Sequence, residues 1–276
     1  MILIIGSTGN IGKHVVSYLK TQNIPFKEGL YQPKVMSESK VSFDFLEPKT
    51  FSYALKDVTK VFFVRPPQLG NPKDIYPFLD YCKTHRIEQV VFVSLLGVEK
   101  NPIPPHAKIE RYMRKNHLPF TFIRPSFFME NLIHPHGRDI KERNQIIVPA
   151  MKSKTSFIAA KDIGHVCAEV LIHTKNHLNQ AYTITGPEAL NYEEVATTFS
   201  KHLNKKITYT NPSMKTYQKH MESLGFDQGY VKVTKLLYMM TRLGTAKKVT
   251  DQVEQLLKRK PMRLDDFIIE NKEIWT

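Results

Sequence analysis

Short apolar runs alternate with segments of helical periodicity through the first half of the chain. The β-branched and aromatic runs predict buried strands at Ile2–Ile5, Val61–Val64, Val90–Val93 and Phe120–Ile123. Apolar residues three and four positions apart predict helices over Ile11–Leu19, Ile75–Cys82 and Lys108–Lys115. Strands this apolar, each followed by a helix, indicate parallel strands that are covered on both faces. We therefore predict an α/β fold with a doubly wound parallel sheet.

The second half of the chain has a looser and mostly helical pattern. Asp162 is expected to be the N-cap of one helix, and Asn191 with Glu194 predicts a capping box at the start of another. His134–Gly137 is typical of a loop, whereas Ser213–Ile269 predicts further helices rich in Lys, Met and Leu. A smaller, mostly helical C-terminal lobe is therefore expected to follow the sheet.

Composition favours an ordinary globular protein. The 276 residues allow two domains, or one large α/β domain with an added lobe, and 41% of them are hydrophobic. No apolar run approaches the roughly 20 residues of a membrane span, and the apolar start lacks the basic leader of a signal peptide. Cys82 and Cys167 form no spaced cluster. We therefore expect a cytoplasmic protein with no metal site and no membrane partner.

The net charge of +14 raises the question of a nucleic-acid partner. The excess is spread over the chain, because residues 1–140 and residues 141–276 each contribute +7. The densest basic stretch is Lys258–Lys260 with Arg263. A dispersed excess of this kind is typical of solubility or of attraction to anionic small molecules, so we do not expect nucleic-acid binding as the main function.

A glycine-rich turn joins the first predicted strand to the first predicted helix. Gly6 permits the tight turn, Gly9 lets the main chain approach a pyrophosphate, and Gly12 lets helix and strand pack closely. The N-terminus of the helix offers main-chain N–H groups to the anion. The spacing is GxxGxxG rather than GxGxxG, and a glycine turn without a ligand is the alternative. The predicted dinucleotide contacts are Gly6, Thr8, Gly9, Asn10, Ile11 and Gly12.

The end of the second strand should select between NADP and NAD. The stretch Phe26–Lys34 has no acidic residue at the strand's end to bind a ribose diol, and Lys34 is close enough to meet a 2′-phosphate. NADP is therefore expected over NAD, although the usual arginine is missing. Tyr31 is expected beside Lys34 in this contact. Asp44, after the third strand, is expected to flank the adenine, with a plain surface turn as the alternative.

Further motifs follow the glycine turn along the chain. They are Val64–Pro67, Phe92–Gly97, Ile123–Asn131, Ala160–Ile163 and Tyr182–Leu190. Together with GSTGNIG they resemble the NmrA-like family of atypical short-chain dehydrogenases/reductases, over about residues 1–217. The resemblance implies an NAD(P)-binding Rossmann domain, expected over residues 1–130 with strand contributions from about 155–185. A smaller substrate or partner lobe is expected over residues 131–276.

The resemblance also carries expectations about contacts and activity. Arg65, Pro66 and Ser94 are expected to contact the cofactor. A pocket for a flat aromatic substrate is expected to be lined by Phe127, Phe128, Met129 and Asn131, for which a place in the core is the alternative. Some members of the family reduce quinones, azo dyes or triphenylmethane dyes, whereas others are redox-sensing regulators.

The chain departs from the catalytic pattern of the wider superfamily. That pattern has a tyrosine four residues before a lysine, the tyrosine serving as general acid, and none of the 12 tyrosines here precedes a lysine in this way. The resemblance places Lys108 at the lysine position, which leaves Pro104 at the tyrosine position. The substrate-orienting serine would fall near Leu95 or Leu96, which carry no hydroxyl. Ordinary alcohol–ketone interconversion is therefore not expected.

Two candidate catalytic residues remain in this segment. Lys108 is expected to bridge the nicotinamide ribose hydroxyls, with a solvated helix lysine as the alternative. His106 can supply a proton near neutral pH, although a surface residue at a helix start is the simpler interpretation.

The sequence thus predicts an NAD(P)H-dependent oxidoreductase that passes hydride to a planar, electron-poor acceptor such as a quinone or dye. The alternative is a non-catalytic NAD(P)-binding redox sensor that acts through a protein partner. The expected assembly is a monomer or a homodimer.

Overall fold

The computed structural model describes residues 1–276, and its strands and helices are numbered in chain order. The strands are β1 Ile2–Ile5, β2 Phe26–Leu30, β3 Lys40–Ser42, β4 Lys60–Val64, β5 Gln89–Val93, β6 Phe120–Pro125, β7 Gln145–Ile147, β8 Gln180–Ile184 and β9 Thr208–Thr210. The helices are α1 Gly12–Thr21, α2 Lys49–Ala54, α3 Tyr76–Thr84, α4 Pro105–Lys115, α5 Gly137–Arg143, α6 Ala160–Ile172, α7 Thr174–His177, α8 Tyr192–Leu203, α9 Met214–Ser223, α10 Gln228–Arg242, α11 Gln252–Leu257 and α12 Leu264–Glu270. Short 3₁₀ helices span Pro72–Asp74, Met129–Leu132 and Lys272–Ile274.

The chain divides into two compact units. Unit 1 consists of Met1–Pro125, Ala160–Ile184 and Gln252–Arg259, and unit 2 consists of Ser126–Ala159, Thr185–Asp251 and Lys260–Thr276. Each unit is therefore assembled from three separate stretches of chain.

Unit 1 is built on a seven-stranded sheet in the order β3-β2-β1-β4-β5-β6-β8. Every neighbouring pair in this sheet is parallel. The order runs outward in both directions from β1 and β4, which is the arrangement of a doubly wound fold. The sequence prediction of a doubly wound parallel sheet is confirmed.

Apolar side chains on both faces of the sheet hold helices against it. Alternate strand residues such as Leu3 and Phe92 pack in one core cluster with Phe51, Phe78 and Met113, which lie on α2, α3 and α4. On the other face, α1 contacts β1, and α6 contacts β4, β5 and β6. Both faces are buried, which explains why these strands are continuous apolar runs rather than alternating ones.

The contact between α1 and α6 depends on a glycine. A Cβ atom built on Gly164 would lie 2.6 Å from the Cβ of His14 and 2.9 Å from the carbonyl oxygen of Ile11. The prediction that Asp162 is an N-cap is wrong, because α6 begins two residues earlier, at Ala160. Asp162 lies in the first turn of that helix, and its side chain is 1% exposed. Its Oδ1 forms an ion pair with Nη2 of Arg259 at 2.7 Å.

Unit 2 combines helices α5, α8, α9, α10 and α12 with a two-stranded parallel sheet of β7 and β9. The expected capping box is confirmed: Asn191 accepts the N–H of Glu194 at 2.9 Å, and the Glu194 carboxylate accepts the N–H of Asn191 at 2.7 Å. Trp275 is fully buried, packs edge-on against Phe199 and donates its indole N–H to the carbonyl of Leu132 at 3.1 Å.

No helix combines the length and the apolar character needed to cross a lipid bilayer.

Candidate functional site

Several of the residues predicted from the sequence lie along one edge of the unit 1 sheet. All seven strands run in the same direction, so the residues that follow their carboxyl ends share that edge. Gly6 follows β1, Tyr31 follows β2, Arg65 follows β4 and Ser94 follows β5. The strand order reverses between β1 and β4, and ligands of doubly wound sheets bind in the crevice beside such a reversal.

The glycine turn leaves no room for side chains where it meets α1. Gly6 has φ +84°, a conformation that favours glycine. A Cβ atom on Gly12 would meet the Gly6 carbonyl and come within 2.8 Å of the Cα of Ser7, whereas one on Gly9 would lie 3.3 Å from the Gly6 carbonyl oxygen. Gly12 is therefore needed for the fold of the turn, and Gly9 keeps its outer surface flat.

The outer surface of this turn is open to an anion. Thr8, Gly9 and Asn10 are exposed, and α1 begins without a side-chain cap and without an acidic residue in its first turn. The N–H groups of Lys13 and His14, in the first turn of α1, already donate to main-chain carbonyls at 3.1 and 3.0 Å, so an anion would meet the N–H groups just before them. The helix dipole favours negative charge at this end. The side chain of Ile11 is 4% exposed, so Ile11 can face a ligand only through its main chain.

Buried polar atoms without hydrogen-bond partners lie along the same edge. They are the hydroxyls of Ser7 and Ser94, each in a residue at most 3% exposed, and Nε of Arg65. The Arg65 guanidinium donates to the carbonyls of Leu69 at 2.6 Å and Pro66 at 3.1 Å. Burial lowers the pKa of Arg65. Buried polar groups are nearly always paired in proteins, so these atoms fit a polar ligand such as a dinucleotide.

Around the ends of β2 and β3, the predicted contacts differ in their surroundings. Tyr31 is 69% exposed, and Lys34 is also exposed. Asp44 is half-buried, and its Oδ1 accepts the N–H of Leu46 at 2.9 Å. Asp44 thus accepts a hydrogen bond within its own loop, and its place beside the adenine stays a prediction.

His106 and Lys108 lie near the start of α4 but on different sides of it. Residues two positions apart in a helix do not face each other. The His106 ring stacks on Phe92, with ring centroids 5.8 Å apart and an interplanar angle of 16°, and its Nδ1 is buried without a partner. Lys108 is exposed. The structure therefore does not bring these two candidates together.

Burial controls the protonation of His106. Burial, together with the smaller effect of the positive charge of Arg65, lowers the pKa of His106 to about 3. The imidazole is therefore neutral at pH 7 and has no imidazolium proton to give up.

A buried ion pair joins α4 to the end of β6. The Arg124 guanidinium donates to Glu110 through Nε at 3.0 Å and Nη2 at 2.5 Å, and its Nη1 lies 3.3 Å from Glu99. Glu110 is 5% exposed and Arg124 is 9% exposed. A two-pronged contact of this kind fixes orientation as well as distance. It holds the helix that carries His106 and Lys108 against the sheet.

The predicted pocket residues lie in unit 2 and differ in burial. Phe127, Phe128 and Asn131 are half-buried. Met129 is 1% exposed and belongs to the core of the unit, so its place is the core alternative that the sequence left open. The Phe127 ring lies 6.5 Å from the ring of Tyr238.

Sequence reasoning missed a buried polar group in unit 2. His136 Nε2 lies 2.6 Å from the hydroxyl of Tyr238, and His220 Nε2 lies 2.6 Å from Asp139. Burial lowers the pKa of His136 to about 3. These partners are separated by 102 and 81 positions, and no local sequence pattern links them.

Comparison with known proteins places the chain in a family. The family model described as the NmrA-like family matches residues 44–268. The chain belongs to the NmrA-like family. The sequence-based resemblance is thereby confirmed.

Named relatives of this NmrA-like chain include a reductase. An NAD(P)H azoreductase of Xenophilus azovorans is 29% identical over 97% of this chain and 96% of its own length. Two solved structures share the fold. The NADPH-dependent quinone oxidoreductase of Escherichia coli, complexed with NADPH, superimposes with a TM-score of 0.89 at 18% identity over 99% of this chain and 100% of its own. NmrA, a negative transcriptional regulator in complex with NADP, gives 0.76 at 15% identity, over 99% and 97%.

Proposed function

We propose that this NmrA-like protein is an NADPH-dependent reductase that delivers hydride to a planar, electron-poor acceptor such as a quinone or an azo compound. The observation that carries the proposal is the glycine turn with its open outer surface, together with two unpartnered buried hydroxyls, that of Ser7 within the turn and that of Ser94 at the end of β5. The names of the azoreductase and quinone oxidoreductase relatives support the acceptor class.

The residues at the sheet edge divide the work of cofactor binding. The N–H groups at the start of α1 hold the pyrophosphate, and Gly9 allows the close approach of the main chain. Ser7 and Ser94 offer hydroxyls, and Lys108 pairs with the nicotinamide ribose. Lys34 and Tyr31 face the 2′-phosphate at the exposed end of β2, and for this reason we propose NADPH rather than NADH. Bound NADPH supplies the hydride.

The proton for the acceptor comes from water. Pro104 stands four residues before Lys108 and has no proton to give, and the pKa of His106 is too low for a general acid at pH 7. A quinone tolerates this, because it spreads the charge that it gains over a conjugated ring. The quinone takes up one hydride from NADPH and one proton from water to give the hydroquinone. The protein contributes binding and orientation.

The test is oxidation of NADPH, followed by its absorbance, against a panel of quinones and azo dyes, with NADH in parallel. We expect turnover with at least one acceptor and a lower KM for NADPH than for NADH. If calorimetry shows that NADPH binds but no acceptor is reduced, the proposed reductase activity is contradicted. Tighter binding of NADH would contradict the selectivity.

A second candidate is a sensor of the NADP state that changes its affinity for a protein partner. The observation that favours it is the fold shared with NmrA, a negative transcriptional regulator solved in complex with NADP. Nucleotide-dependent capture of a partner by a protein that fails the turnover test would support this candidate.

A further inference from the structure

An exposed apolar stripe runs along α10 and onto its C-cap residue, Leu243. The side chains of Val233, Leu236 and Leu243 are 57%, 52% and 71% exposed, and Met239 is 48% exposed. At about 100° per residue these positions share one side of the helix. The opposite side, with Val231 and Tyr238, is buried in the core of unit 2. Scattered exposed apolar residues need no explanation, but a contiguous row of them marks an interaction surface.

The surroundings of this stripe are strongly basic. Residues 228–250 contain five basic residues and no acidic one. The exposed members of this set are Lys232, Lys247 and Lys248. The adjacent helix α9 adds exposed Lys215 and Lys219, against one acidic residue, Glu222.

An apolar stripe with a basic border fits a bilayer surface better than it fits a second copy of this chain. Pairing α10 with α10 of a second copy would bring two sets of five positive charges together, and the segment has no carboxylate to offset them. An apolar stripe with a basic border is instead typical of helices that lie in the surface of a bilayer, where leucines enter the acyl boundary and lysines meet anionic headgroups.

We propose that the exposed face of α10 docks on a bilayer surface rich in anionic lipid, and that the acceptor is a quinone dissolved in that bilayer. The second clause rests on the proposed function. The proposal departs from our expectation of no membrane partner, which rests on the lack of a spanning segment; a surface helix needs none.

The docking clause is tested by sedimentation with vesicles of equal parts phosphatidylglycerol and phosphatidylcholine, and with phosphatidylcholine alone. We expect the wild-type protein to bind the mixed vesicles only and to be released by salt. The double variant Leu236→Gln, Leu243→Gln should bind at least about tenfold more weakly. Ile269→Gln, an exposed apolar position on α12, is the matched control and should bind as the wild type does.

A pair of triple variants tests whether binding depends on the lysines beside the stripe or only on the total positive charge of the protein. Replacing Lys232, Lys247 and Lys248 by Glu should weaken binding by at least about 100-fold, since each cation near an anionic surface contributes about fivefold. The same three-site change at Lys20, Lys83 and Lys175, exposed in unit 1, should leave most of the binding in place. Equal losses in the two triple variants would overturn the proposal. So would a wild-type dimer that the double leucine variant converts to a monomer in ultracentrifugation.

The acceptor clause has its own readout. We expect the double leucine variant to lose at least about tenfold in the rate with a long-chain quinone carried in the mixed vesicles, and to keep the wild-type rate with a water-soluble quinone. Reduction of the water-soluble quinone alone by vesicle-bound wild type would overturn this clause. No NADPH oxidation with either quinone would mean that the proposed function has failed, and vesicle binding would still report on docking.

Discussion

Gly9 and Gly12 of the N-terminal turn differ in what a side chain would meet. At Gly12 a Cβ runs into the Gly6 carbonyl, but at Gly9 it has a tight, tolerable contact of 3.3 Å and otherwise points outward. We expect Gly9→Val to abolish NADPH binding in calorimetry and to keep the wild-type unfolding temperature. Gly12→Val should lower the unfolding temperature as well. If Gly9→Val binds NADPH with wild-type affinity, the turn is not where the pyrophosphate binds.

Lys108, one of two exposed lysines on α4, has a measurable role if it holds the nicotinamide ribose. Lys108→Ala should weaken NADPH binding and slow acceptor reduction together, by roughly ten- to a hundredfold, the usual worth of hydrogen bonds from a charged donor. Lys115→Ala, an exposed lysine at the other end of the same helix, should change neither quantity. If both variants behave alike, Lys108 is a solvated helix residue.

His106 is expected to be dispensable for proton transfer. With its pKa near 3 it stays neutral across the working range, so the wild-type maximal rate should be flat between about pH 6 and 8. His106→Ala should keep that rate within a few-fold. A loss of about 100-fold, with the disappearance of a titration in the rate profile, would instead identify a general acid.

At the scale of elements, α4 is held to β6 by a pair that was recognised only in the structure. Glu110→Ala leaves Arg124 buried with only the half-exposed Glu99 as a partner, and should cost about 3–5 kcal/mol of unfolding free energy. The double variant Arg124→Met, Glu110→Leu removes both charges and should recover most of that loss in urea unfolding. The single variants Arg124→Met and Glu110→Leu complete the cycle, and losses in these two that add up to the loss in the double variant would show that the pair is not coupled.

The elements themselves were largely predictable from the sequence, and their partners were not. The buried strands and the capping box at Asn191 follow from local patterns, which the structure confirms. Asp162 is the buried partner of Arg259, 97 positions away, and the sequence around such an aspartate does not differ from that around an N-cap. The ion pair of Arg124 and the contact of His136 with Tyr238 are invisible for the same reason. The glycine turn was found because its chemistry is contained in seven consecutive residues.

At the scale of the whole molecule, buried neutral histidines make the fold sensitive to acid. His136 is fully buried with a pKa of about 3, against 6.5 for an ordinary histidine. Between these two pH values the unfolded chain binds a proton at His136 and the folded chain does not. The contribution of neutral His136 to the free energy of unfolding is therefore fully present above about pH 6.5 and falls as the pH is lowered. His136 alone should account for about 2 kcal/mol between pH 7 and pH 5.

Urea unfolding at several pH values checks this. His136→Gln keeps a group that can bond to the hydroxyl of Tyr238 and does not titrate, so its stability should decline less between pH 7 and pH 5 than that of the wild type. Parallel declines in the two proteins would show that His136 does not contribute. His202→Gln, at a half-buried histidine paired with Asp265, serves as the comparison.

Unit 1 draws its strands and helices from three stretches of chain, and the last of them ends at Arg259. During synthesis the ribosome therefore releases the sheet up to β6 long before β8 and α11 exist. The edge of β6 has no strand partner until Ser126–Ala159 and then β8 have been made. Helix α6 lacks its contact with α11 until Thr185–Asp251 has been made as well. Fragments cut after residue 130 or residue 185 lack part of this unit, and a nascent chain passes through the same incomplete forms. An unpaired strand edge offers free main-chain groups to other chains, so we expect these incomplete forms to be the ones most prone to aggregate.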